Sequence, residues 1–152
     1  MLSEDMHGDP LTILLVEDNL PHAELVKRSL ETHEIVNKIY HVSDGEAALA
    51  YLFRQGVYAD PATSPRPHVV LLDLRLPKVS GLDVLREIKT HNDLRTIPVV
   101  ILTTSTADRD VVSAYAQHAN SYLVKPVDYT AFTRMMHDLG LYWLLWNYHP
   151  PS

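Results

Sequence analysis

Val69-Val70-Leu71-Leu72-Asp73 is the stretch on which the fold turns. Its apolar residues follow one another instead of alternating, as in a strand covered on both faces, and that is the habit of parallel sheets. The run ends abruptly on an acid. The same grammar recurs outward along the chain. Leu11–Val16 ends on Glu17 and Asp18, and Val99–Leu102 ends on Thr103. A weaker run, Asn37–Val42, and the short Ser121–Val124, which ends on Lys125, complete five expected strands.

Helical spacing fills the intervals. Pro21–Thr32 sets Leu25, Val26 and Leu30 on one face, with Pro21 suited to a first turn. Ser43–Arg54 carries Ala47, Ala48, Leu49, Tyr51, Leu52 and Phe53, and Leu82–Lys89 repeats Leu82, Leu85 and Ile88. Thr106–His118 holds Val111, Val112 and Tyr115; Tyr129–Trp146 holds Phe132, Met135, Met136, Leu139 and Trp143. Strict alternation of strand and helix reads as (βα)₅, a doubly wound α/β domain with one parallel sheet and helices on both faces. Tyr58–Pro67, with Pro61, Pro65 and Pro67, is expected to be a surface loop. Asn147–Ser152, with Pro150-Pro151, reads as a helix stop and tail.

The 152 residues suit one well-buried core, so a single domain over 1–152 is expected, with its core at about 11–140 and a helix extension and tail over 141–152. Thirteen basic residues against 19 acidic, a net charge of −6, argue against a nucleic-acid or membrane-surface binder. Cysteine is absent, which excludes a disulfide framework and a thiolate metal site and suits a reducing cytoplasm. The acidic N-terminus has no apolar core of a signal peptide, and no apolar run approaches a membrane span.

In open α/β sheets, ligands bind beyond the carboxyl ends of the strands, where strand order reverses. If the first and third strands flank that point, Glu17, Asp18 and Asp73 converge there. Carboxylates so placed repel, and a cation relieves them. Oxygen donors without His or Cys suit Mg²⁺, with Mn²⁺ a plausible substitute. Thr103 and Lys125, at the ends of the fourth and fifth strands, add a hydroxyl and a compact positive charge. A carboxylate, a cation, a lysine and a hydroxyl around one crevice make a site for a phosphoryl group. A lone Asp after a strand is more often a turn residue or cap; the joint placement of five groups favours chemistry.

Other chemistries fit poorly. The nine histidines include no pair three or four apart on a helix, so zinc-type pairing is missing and they read as surface residues. The five glycines form neither GxGxxG nor GxxxxGK, which leaves nucleotide binding without local support. Asp73-Leu74-Arg75 lacks the second acid that aspartyl-nucleophile phosphatases place two residues on.

Leu15-Val16-Glu17-Asp18-Asn19, Leu72-Asp73-Leu74-Arg75-Leu76-Pro77 with Gly81, Leu102-Thr103-Thr104-Ser105 and Tyr122-Leu123-Val124-Lys125-Pro126 resemble the receiver domains of two-component response regulators. The intervals of 30 residues from Asp73 to Thr103 and 22 from Thr103 to Lys125 match that family's layout. The resemblance implies a flavodoxin-like sheet in the order 2-1-3-4-5. It makes Asp73 the phosphoacceptor, with Glu17, Asp18, Asp73 and the backbone carbonyl of Arg75 around Mg²⁺. Thr103 becomes the switch hydroxyl, Lys125 the phosphate-pairing lysine, Tyr122 the aromatic that swings inward, and the bond to Pro126 is expected to be cis. Glu17 stands where Asp is commoner, Thr104 where Ala is frequent, and Arg75 and Ser105 at positions that tend to set phosphoryl lifetime.

What the resemblance implies functionally is a regulator that takes a phosphoryl group from a sensor histidine kinase and switches a protein–protein surface. It would assist its own phosphorylation without turnover on an external substrate, and no output domain is expected to follow. A phosphorylation-independent dimerisation scaffold and a relay that passes the phosphoryl group to a histidine phosphotransfer protein are the alternatives. The last helix, with Leu141, Tyr142, Trp143, Leu144, Leu145 and Trp146, is apolar on more than one face, which suits cover by a partner chain or folding back on its own domain. Its ending, with Trp143, Trp146, Asn147 and Pro150-Pro151, looks like the small regulators paired with phytochrome-type sensor kinases. That likeness implies a homodimer through the fourth helix, fifth strand and fifth helix.

Overall fold

A computed structural model of the chain describes residues 11–31, 37–104, 108–125 and 128–138. The strands are β1 (Leu11–Val16), β2 (Asn37–Val42), β3 (Val69–Leu72), β4 (Val99–Thr103) and β5 (Ser121–Val124). The helices are α1 (Leu20–Glu31), α2 (Gly45–Leu52), α3 (Gly81–Thr90), α4 (Asp108–Ala116) and α5 (Tyr129–Asp138). All strand pairs are parallel, and the sheet runs β2-β1-β3-β4-β5, the order that the resemblance implies.

Continuous apolar strands divide their side chains between two layers with period two. Leu14, Val16, Val70, Leu72, Val99 and Ile101 pack on one face with Ala48 and Leu52 of α2, Val84, Leu85 and Ile88 of α3, and Ala114 of α4. Leu11, Ile13, Leu15, Val69, Leu71, Val100 and Leu102 take the other face with Ala23, Val26 and Leu30 of α1 and Phe132 of α5. The stripes expected from spacing face the core in α1, α2 and α3, whereas in α4 Ala114 is buried and Tyr115, expected on the core face, is exposed. Val84, Leu85 and Ile88 are wholly buried, and each such side chain stabilises the fold by roughly 1.5–3 kcal/mol.

Side-chain caps set where helices begin. Asp44 accepts from the Ala47 N–H at 2.7 Å, so α2 starts at Gly45 instead of Ser43. Ser80 accepts from the Asp83 N–H at 3.2 Å and starts α3 at Gly81. The ends are shorter than the periodicity suggests. Arg54 (φ 56°) and His118 (φ 66°) turn left-handed. Gln55 then donates back to the Ala50 carbonyl and Ala119 to that of Ala114, closing α2 at Leu52 and α4 at Ala116.

The proline-bearing loop is held to the core, not loose on it. A 3₁₀ turn at Gly56–Tyr58 precedes it, Tyr51 donates its hydroxyl to the Pro65 carbonyl at 2.7 Å, and Ser64 and Pro67 are buried. Residues 105–107, 126–127 and 139–152 lie outside the described residues. The expected cis bond to Pro126, the start of the fourth helix at Thr106 and the Trp143–Trp146 ending fall there. Among the described residues, no helix is long and apolar enough to cross a membrane.

Candidate functional site

The ladder ends in a row of chemistry. Val16 is in register with Leu72, Leu72 with Ile101, and Thr103 with Val124. One residue past each strand, the backbone still pairs across the sheet. Asp73 donates its N–H to the Val16 carbonyl at 3.1 Å, Glu17 to Val42 at 3.1 Å, and Lys125 to Thr103 at 2.8 Å. Because β1 and β3 are neighbours whose connections leave in different directions along the sheet, the mouth between them opens over these residues.

Asp73 is 7% exposed. Its Oδ1 accepts from Thr103 Oγ1 at 2.8 Å and from the Arg75 N–H at 3.1 Å; Oδ2 accepts from Lys125 Nζ at 3.2 Å. Burial pushes this carboxyl up, but the Lys125 ammonium, the Thr103 hydroxyl and the Arg75 amide together hold it below the ordinary 3.8. Buried Glu17 lies on the other side of Lys125, its Oε1 paired with Nζ and its Oε2 accepting from the Asn19 N–H at 3.1 Å. Burial outweighs that pairing, and Asp73 adds repulsion, so Glu17 is raised from 4.5 to about 7.

Glu17, buried Asp73 and exposed Asp18 each bring a carboxylate oxygen within 4.8 Å of the others. One buried ammonium faces this acidic trio, and the exposed side of Asp18 leaves the cluster open to solvent. All-oxygen donors with a solvent side are what a hard divalent cation takes.

The structure therefore joins Glu17, Asp18, Asp73, Thr103 and Lys125, the groups read from four separate strand ends. Arg75 places its backbone N–H on Asp73, while its guanidinium reaches Asp110 of α4 at 2.5 Å. Tyr122 is half-buried against the α2–α3–α4 core, with β4 between its strand and that of Asp73.

Three histidines correct the reading of all nine as plain surface residues: His68, which accepts the Thr12 N–H on Nδ1 at 2.9 Å, and two at the site. His41 donates Nε2–H to the Glu17 carbonyl at 2.7 Å, fixing the end of β1. His22, in the first turn of α1, receives an N–H of Lys125 on Nδ1 at 3.1 Å. No spacing rule marks either one, because each meets its partner across the fold. His22 had one faint signal: Asn19, three residues earlier, has the form of a helix cap, and its Oδ1 accepts the His22 N–H at 3.0 Å.

The family model for the response regulator receiver domain matches residues 13–137. The chain is 48% identical over 143 residues to the probable methanogenesis regulatory protein FilR2 of Methanothrix harundinacea, covering 93% of this chain and 89% of that one. It is 43% identical over 140 residues to response regulator Rcp1 of Synechocystis, covering 92% and 93%. The crystal structure of the Mn²⁺-bound form of Rcp1 superposes with a TM-score of 0.82 at 44% identity over 89% of this chain and 95% of that one. The phosphorylated cyanobacterial phytochrome response regulator RcpA gives 0.83 at 36% identity, over 90% and 95%.

Proposed function

The chain belongs to the response regulator receiver family, and from that premise we propose that Asp73 is its phosphoacceptor and the group that switches a protein-binding surface. The observation that carries this reading is the environment of one carboxylate. Asp73 is buried, kept ionised, and flanked by a hydroxyl at 2.8 Å and an ammonium at 3.2 Å.

In the transfer, an Asp73 oxygen attacks phosphorus of a kinase phosphohistidine. The P–O bond forms as the P–N bond breaks, and the imidazole nitrogen leaves with the electron pair and takes up a proton. Lys125 meets the negative charge of the transferred oxygens, and Thr103 donates to one of them. Glu17, Asp18, Asp73 and the Arg75 carbonyl would hold a divalent cation, Mg²⁺ or Mn²⁺; when bound, it neutralises phosphoryl oxygen charge. The three carboxylates within 4.8 Å support this assignment, and the Mn²⁺ form of Rcp1 accords with it.

A dianion on Asp73 draws Thr103 and Lys125 toward it, and Tyr122 and α4 repack in response. The surface that reads this out is α4, β5 and α5, where Tyr115 and Val124 are exposed apolar residues and β5 is an edge strand. A second copy of the chain is the partner proposed there, with a sensor histidine kinase as donor. A kinase of phytochrome type is favoured by the likeness to RcpA, itself a phytochrome response regulator. The domain turns over no external substrate, and a cytoplasmic location accompanies this role.

Intact-mass measurement after incubation with acetyl phosphate, with and without Mg²⁺, tests the proposal. A Mg²⁺-dependent phosphate adduct is expected in the wild type and absent from Asp73→Asn. No adduct under either condition would make a phosphorylation-independent dimerisation scaffold the better account.

A further inference from the structure

Lys125 has three N–H bonds to give and three acceptors around it: Glu17, Asp73 and His22. The first two are carboxylates of the reaction site, and one of Asp73's oxygens must bond to phosphorus. His22 is the acceptor that the chemistry leaves alone. An ammonium can only donate, so Nδ1 accepts and the ring carries its proton on Nε2. The contact is built from the sequence upward: Asn19 caps the turn, the His22 N–H bonds to its side chain at 3.0 Å, and the ring is thereby held against the lysine.

We infer that His22 is a positioning residue for Lys125: its neutral imidazole holds the ammonium toward Asp73, and its protonation breaks that bond and slows phosphoryl capture. This rests on the reading of Asp73 as phosphoacceptor. A protonated ring has no acceptor at Nδ1 and sets a second positive charge about 3.1 Å from Nζ. The surroundings oppose that charge. Burial, then Lys125, lower the imidazole below its ordinary 6.5, while Asp73 and Asp18 pull the other way. Glu17, from the end of β1, acts on the ring through the shared lysine. The device adds to phosphoryl capture a dependence on acidity separate from that of Glu17, which is itself raised to about 7.

The test is the initial rate of phosphate incorporation from acetyl phosphate at saturating Mg²⁺, read by intact mass between about pH 5.5 and 8.5, the span over which histidines titrate. Wild type, His22→Ala and His22→Gln are compared as ratios, which cancels titration of the donor and of the shared acids. His22→Ala should be slower by about two- to tenfold on the alkaline side, the scale of one hydrogen bond, and converge with wild type on the acid side. His22→Gln offers an amide oxygen that accepts without titrating, so it should retain the rate and lose the acid-side decline. A wild-type-to-Ala ratio that is flat in pH, or a Gln variant that tracks Ala, would overturn the inference and leave Asp73 as phosphoacceptor intact. No adduct on wild type would overturn both. Metal-free NMR titration gives a second readout: the His22 ring should titrate below ordinary histidine and move up in Lys125→Met, and an unmoved titration would show that the contact does not form.

Discussion

Thr103 has no solvent-exposed surface, yet its hydroxyl donates to an ionised carboxylate instead of lying idle in the core. Thr103→Val keeps the branched shape and removes that donor. It should cost about 1.5–3 kcal/mol in urea unfolding, the scale of a hydrogen bond to a charged group, and an unchanged midpoint would contradict the role. Tyr51 is a second buried hydroxyl, tied to the Pro65 carbonyl, and burial followed by Tyr40 raises its phenol above the ordinary 10.0. The folded chain therefore retains this proton where the unfolded chain begins to release it. Stability should fall as pH rises beyond about 10, and alkaline unfolding of Tyr51→Phe should lack that contribution. Asp73, Lys125 and Thr103 were legible because each closes an apolar run. His22 and His41 were not, because a hydrogen bond between elements distant in sequence leaves no periodic mark.

Most helix faces followed from spacing, since burial against a sheet needs one apolar stripe and little else; α4 departs, with Ala114 buried and Tyr115 exposed. Helix ends did not. They depend on Arg54 and His118 taking left-handed backbone that non-glycine residues seldom adopt, and packing imposes that. Two glycines show how differently the same residue type can act. A Cβ on Gly81 would lie 2.2 Å from the Asp73 carbonyl oxygen, so α3 can pass the loop after β3 only without a side chain. A Cβ on Gly56 meets nothing within 4 Å and adds only the strain of φ 58°. Gly56→Ala should cost about 1–2 kcal/mol. Gly81→Ala should cost more, at or above the roughly 1–3 kcal/mol of overpacking, and it should also slow phosphate incorporation because the Asp73 backbone must move. Equal unfolding midpoints for the two variants would refute this contrast.

Across the whole molecule, binding of a divalent cation should appear as stability. A ligand at a hundred times its dissociation constant adds about 2.7 kcal/mol when it binds only the folded chain. Mg²⁺ should therefore raise the thermal midpoint of wild type, and Asp18→Asn should blunt the rise; an equal rise in both would remove Asp18 from the site. Sedimentation with and without acetyl phosphate tests the α4–β5–α5 face, where Tyr115→Glu should weaken self-association and a monomer under all conditions would refute the dimer. The sequence alone determined five strands, the covered character of β1, β3 and β4, and the acids, hydroxyl and lysine at strand ends, because burial and chain direction act locally along the chain. Only the tertiary structure decided that Lys125 stands between Glu17, Asp73 and His22, and that Arg75 reaches Asp110. Those contacts join groups from 35 to 108 positions apart, so they exist only once parallel pairing has brought the strand ends together.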